Sequence, residues 1–255
     1  MNFLHSLQSE MLKTKRTAAV WLSIIGGFFI PLIYTIYSLN KGLCISDGAI
    51  PGMNSWEIHF MSSMEKMASF LLPAGIILAS SLLTQMEYKN NTWKQLHTTP
   101  QSYSMVFMSK FSAILILTFQ FFLFFNIGVF LSGVIPCLVS NGSFPDESIP
   151  WWFLIKANAK AFISCLPILA LQYLLSFRFK NFIVPIGIGL VMLIGSLIAL
   201  SWEHIYWSPY IHTMLHMMPD RENPSGLDSH YWSLIQFAFI MGISYIIYLK
   251  RKEKG

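Results

Sequence analysis

The chain has 255 residues, of which 54% are hydrophobic and only 11% charged, with a formal net charge of +5. Soluble domains carry ~25% charged residues, so charge this sparse cannot solvate the surface of a globular protein of this size. The composition excludes an ordinary soluble enzyme and points to an integral, all-α membrane protein.

The first element is residues 1–16. Leu4, Leu7 and Met11 recur at helical spacing and Lys13, Lys15 and Arg16 come after them. This predicts an amphipathic interfacial helix on the inner leaflet, its cations among anionic head groups. Residues 17–255 form the second unit. Six stretches there contain no Asp, Glu, Lys or Arg: 17–39, 67–85, 111–135, 161–177, 182–202 and 232–249. Each is near the ~20 residues that a helix needs to cross the hydrocarbon core. Backbone in lipid must satisfy its own hydrogen bonds, so six transmembrane helices are expected. The first run exceeds the ~7–15 apolar residues of a secretion signal and is not trailed by a cleavage site, so it is read as retained.

Span one carries Gly26, Gly27 and Pro31, small and kinking residues that permit close helix approach. The segment 40–66 begins as an outer loop. Its tail from Trp56 to Lys66 either prolongs span two or lies in the interface. Between spans two and three lies the polar stretch 84–100. Asn90-Asn91 is turn material, Thr92-x-x-Gln95 has the form of a capping box, and Pro100 stops the helix that starts there. The expectation is a short, two-turn cytoplasmic helix between two spans, a shape suited to receiving a push from a soluble partner.

Span three, from about Met105, is dense in phenylalanine, including Phe119, Phe121 and Phe122, with Gln120 and Asn126 as its only amide side chains. An outer loop, 136–152, ends on Trp151-Trp152. Lys156 and Lys160 then open span four and reach back to the head groups. Arg178-Phe179-Lys180-Asn181 is a tight inner turn to span five. The outer segment 203–230 has Trp202, Trp207 and Tyr210 as expected interface anchors, and 205–218 as a short helix partly embedded in the outer leaflet. Span six ends in Lys250-Arg251-Lys252-Glu253-Lys254.

With six spans both termini share a side. That side holds twelve of the seventeen cations against only Glu10, Glu87 and Glu253. Positive charge marks the cytoplasmic face, so both termini and 84–100 are assigned there. The net charge is a topology signal and implies no nucleic-acid partner. Cys44 and Cys137 fall on the outer side, open to a disulfide or to two free thiols.

The chemistry is marked by what is missing. The six runs hold no charged relay of the kind that ion-coupled carriers keep in the membrane. No Gly-x4-Gly-Lys-Ser/Thr phosphate loop is present either. Uphill transport would need a motor elsewhere. His212 and His216, four apart, have a spacing that binds metal in some enzymes. No acid lies between them, and an interfacial polar face is preferred, so no metal site is assigned. Gln120, Asn126, Gln172 and Gln236 are expected to hydrogen-bond between helices. A weaker substrate-path reading takes Asn126, Gln120 and Phe122.

The pattern Glu87-x4-Thr92-Trp93-Lys94-x-Leu96-x3-Pro100-x-Ser102, with Lys110 beyond it, resembles the first cytoplasmic loop of ABC-2-type exporter permeases. The likeness is greatest to small permeases of lantibiotic or bacitracin self-protection, and the six-span layout extends it over nearly the whole chain. The resemblance implies a permease without a cofactor or catalytic residue of its own, in a bacterial cytoplasmic membrane. It implies a separate ABC ATPase (nucleotide-binding) subunit, docked on Glu87, Trp93, Lys94, Gln95 and Leu96. It also implies a homodimer or a heterodimer with a sister permease, set in membrane lipid, exporting an amphipathic peptide, drug or lipid-like molecule. The rival reading is an intramembrane enzyme or assembly factor using 203–222.

Overall fold

The computed structural model describes residues 3–15, 17–48, 50, 52–89, 102–140, 144–145, 147–179, 181–218 and 228–252. These residues form helices and connecting turns without a strand. The helices are α1 (Phe3–Thr14), α2 (Ala18–Lys41), α3 (Ser55–Lys66), α4 (Leu72–Lys89), α5 (Tyr103–Val139), α6 (Trp151–Arg178), α7 (Ile183–Ile198), α8 (His212–Leu215) and α9 (Ser229–Lys252). Six helical segments are long and apolar enough to cross a membrane. The expected all-α, six-span architecture is therefore what the chain adopts.

Span two is longer than its charge-free run. α3 continues through a wide π turn, Met67–Leu71, into α4, so the segment from Trp56 to Lys66 prolongs the span. The wide turn lies where Pro73, lacking an N–H, would crowd the carbonyl four residues before it. Asn54 caps α3, its side chain accepting from the Trp56 N–H at 2.9 Å. Glu147 adds a second cap from across the outer loop, accepting from the Ser55 N–H at 2.6 Å. The longer helices correct the charge-free picture of the spans. Glu57, His59, Glu65 and Lys66 belong to span two, and Lys110 to span three.

α5 is the axis of the bundle. Its 37 residues would extend ~55 Å at 1.5 Å per residue, well beyond the ~30 Å hydrocarbon core, so its ends project. α2 lies along it more extensively than any other element. Glycines permit this approach. A Cβ on Gly27 would come within 2.8 Å of the Phe121 carbonyl oxygen, and one on Gly128 within 2.9 Å of the Pro31 ring. α2 stays helical through Pro31 and stops at Gly42, whose φ of 64° is the left-handed cap conformation that glycine adopts without steric cost.

At the outer end Cys44 and Cys137 are joined in a disulfide with Cα atoms 4.6 Å apart, inside the usual bridging range. At the other end α1, the start of α5 and the last turns of α9 meet. Ser6 donates to Ser109 at 3.0 Å, and the Ser104 and Tyr245 hydroxyls are 2.6 Å apart. An aromatic cluster of Phe107, Tyr173, Phe177 and Tyr248 fills this end. α6 packs chiefly against α9 and α4, and α7 against α4.

Candidate functional site

The polar connection between spans two and three is framed by α4 and α5. Ser102 starts α5 by accepting from the Met105 N–H at 3.3 Å. The backbone of Glu87 belongs to α4. Trp93, Lys94, Gln95 and Leu96, expected to face an ATPase, lie outside the described residues, as does the side chain of Glu87. From there α5 leads directly to Lys110, part of the same sequence pattern. Its ammonium is buried and sits 3.1 Å from Glu10 Oε2. Glu10 Oε1 accepts a second ion pair from Lys13 at 2.6 Å. Burial alone would raise the Glu10 carboxyl, but Lys110 and Lys13 outweigh it and hold the group below its ordinary 4.5.

This ion pair ties one face of α1 to α5. Its buried stripe is Ser6, Glu10 and Thr14, four residues apart each. Leu4 and Leu12 face outward, 67% and 72% exposed. A helix that turns polar groups to the protein and leucines to its surroundings suits a lipid interface. The pairing of Glu10 with Lys110 was not drawn from the sequence. The available signal was that Glu10 is the lone acid before Asp47 and has hydroxyl residues four positions away on either side.

The amides within the spans behave largely as expected. Asn126 and Asn158 exchange two hydrogen bonds, 2.8 and 2.9 Å, and each also donates to the carbonyl four residues earlier on its own helix. This clasp joins α5 to α6. Phe122 lies buried beside it against Phe162. Gln172 is fully buried and joins three elements to α6. It donates to Ser81 at 3.1 Å and to the Pro185 carbonyl at 2.9 Å, and accepts from the Tyr210 hydroxyl at 3.0 Å. Tyr210 is therefore a core residue, 1% exposed, and not the interface anchor its type suggested. Trp202 and Trp207 are exposed, as anchors should be. Gln120 differs from the other amides. It lines an open cleft with Gln8, Met11, Leu12, Thr14, Lys15 and Val20.

The described part of the outer segment folds inward as one 3₁₀ turn, Ile205–Trp207, and α8. His212 is fully buried rather than interfacial, with Nε2 2.9 Å from Gln236 Oε1. Gln236 donates its amide to the Tyr206 carbonyl at 2.8 Å, so His212 Nε2 must carry the proton. Burial pushes His212 and His216 down to about 4, which keeps both neutral near pH 7. Among the described residues no group of three His, Cys, Asp or Glu side chains is placed to hold a metal ion. The His212–His216 pair is built into packing between α8, α6 and α9.

Comparison with curated proteins gives no significant match. The family model described as ABC-2 family transporter protein matches residues 6–196, three quarters of the chain and five of its six spans. Together with the six apolar helices, this match establishes that the chain belongs to the ABC-2 transporter family, as a membrane-spanning permease.

Proposed function

We propose that the chain is the permease of an exporter powered by two copies of a separate ATPase, and that it works as a dimer with itself or a sister permease. ATP-driven closure of the ATPases would push on residues 87–96 from the cytoplasm. The observation that carries this reading is the framing of that segment. Its flanking helices are α4, one of the most buried parts of the bundle, and α5, the helix against which α1 and α2 both pack. A displacement applied there reaches three spans at once. The chain has no phosphate loop of its own, so the work must come from a partner.

An amphipathic substrate fits the outer surface of α5. Phe119, Leu123, Ile127 and Phe130 are exposed at three- and four-residue intervals, forming one apolar stripe. Asn126 and Phe122 stand behind it as a fixed wall, and Gln120 flanks it on the side of α1. Such a stripe suits a peptide or lipid-like molecule better than a small ion. The test is co-purification with the ATPase subunit. Trp93→Ala with Leu96→Ala should weaken the complex at least tenfold while membrane insertion is unchanged. Undiminished co-purification would remove the coupling role from this segment.

A further inference from the structure

The cleft between α1, α2 and α5 has a volume of about 460 Å³, within the ~300–1,000 Å³ of ligand-holding clefts. Met11, Leu12 and Val20 give it apolar walls, and Lys15 adds a cation to its lining. Among the described residues, the side chains of Lys15, Gln8 and Gln120 make no hydrogen bond or ion pair, whereas the other span amides are satisfied within the bundle. Gln120 thus carries polar capacity into a membrane-spanning helix without a hydrogen-bond partner among the described residues. The nearby acid, Glu10, is already met by Lys110 and Lys13, so it does not cancel the charge of Lys15. The cleft opens onto an apolar surface, since Leu12 in its lining is 72% exposed.

We infer that this cleft is a binding site for one anionic phospholipid, with an acyl chain along Met11, Leu12 and Val20 and the phosphate on Lys15. A soluble anion would use the lysine and leave the apolar walls bare. A cationic peptide would be repelled by Lys15. A phospholipid uses both, and its glycerol ester carbonyls supply the acceptors that Gln120 and Gln8 lack. Seated there, the lipid fills the space under α1 and completes the joint between α1 and the two spans that it bridges. The choice of an anionic lipid rests on the proposed cytoplasmic orientation, since that leaflet is the anionic one. The site itself does not depend on the ATPase.

The test uses the purified full chain alone, so a failed ATPase pull-down would leave it unaffected. Native mass spectrometry would compare retention of phosphatidylglycerol and phosphatidylcholine of matched acyl chains. The wild type should retain phosphatidylglycerol in preference. Lys15→Gln, a change at an exposed position, should reduce that retention about fivefold, the effect of one cation at an anionic surface. Gln120→Phe, which fills the cleft, should reduce both lipids. Lys250→Gln, a cation at the end of α9, should change neither. Equal retention of the two lipids, no response to Lys15→Gln, or an equal response to Lys250→Gln would each overturn the inference. Helix content measured on every variant separates loss of the site from loss of the fold.

Discussion

Replacing Glu10 by Gln removes one charge while keeping the side chain's shape, and it isolates what the α1–α5 contact is worth. The side chains of Glu10 and Lys110 are 8% and 6% exposed and lie 3.1 Å apart. Breaking a buried pair of this kind costs ~3–5 kcal/mol. The Lys13 contact adds little, because that side chain is 41% exposed and a helical pair of this sort contributes ~0.3–0.5 kcal/mol. For a chain of this size that total lowers Tm by about 10 °C. Lys110→Met should cost less, since Glu10 keeps Lys13 beside it. Glu10→Met with Lys110→Met should recover most of the loss, because an apolar pair of similar volume avoids desolvating two charges. The assay is thermal unfolding of the detergent-purified chain as a double-mutant cycle. A parallel readout is disulfide formation between Ser6→Cys and Ser109→Cys, whose hydroxyls are 3.0 Å apart in the native chain. Coupling below ~0.5 kcal/mol would mean that the two charges act independently, and would refute the docking of α1 through this pair.

The same carboxylate predicts a pH dependence. Its folded value lies below the ordinary 4.5, so its stabilising effect is complete above that pH and is lost as pH falls through the lowered value; the Tm difference between wild type and Glu10→Gln should narrow only in that acidic range. Gly27→Ala should destabilise the chain, because its Cβ would sit 2.8 Å from the Phe121 carbonyl and 3.0 Å from the Phe125 nitrogen. Gly187→Ala, with nothing within 4 Å, should be neutral or slightly stabilising in the same unfolding assay. Cys137→Ala should cost ~2–5 kcal/mol, as the bridge closes a 93-residue separation, and should free Cys44 for maleimide labelling. Asn126→Ala and Asn158→Ala should couple by only ~0.6 kcal/mol, up to ~1.7, the scale of amide contacts in membranes; coupling of zero would show that the clasp does not form.

The spans, their number and the general use of their amides were legible because lipid imposes one rule on every residue of a crossing helix. Runs without charge had to be helices, and three of the amides within them, Asn126, Gln172 and Gln236, found partners. What the rule does not reach is the ends. Span two begins at Ser55 because Asn54 and Glu147 cap it, and a glutamate 92 positions away leaves no local signal. Lys110 read as one more topology-setting cation. Only the three-dimensional meeting of α1 and α5 makes it a buried partner of Glu10. Tyr210 looked like an anchor because tyrosine favours interfaces, yet an inward fold of 205–218 gave its hydroxyl Gln172. The disulfide was one of two open readings for Cys44 and Cys137 until the ends of α2 and α5 were brought together.

In the proposed mechanism, a membrane body without a motor is driven from the cytoplasm through the segment between α4 and α5. The most direct measurement is labelling of Lys94→Cys in whole cells with a membrane-impermeant maleimide. Background is low, because Cys44 and Cys137 are bridged and Cys165 is buried. A cytoplasmic segment predicts no labelling of intact cells and full labelling once the membrane is opened. Labelling from outside would place the segment beyond reach of any ATPase and contradict the claim.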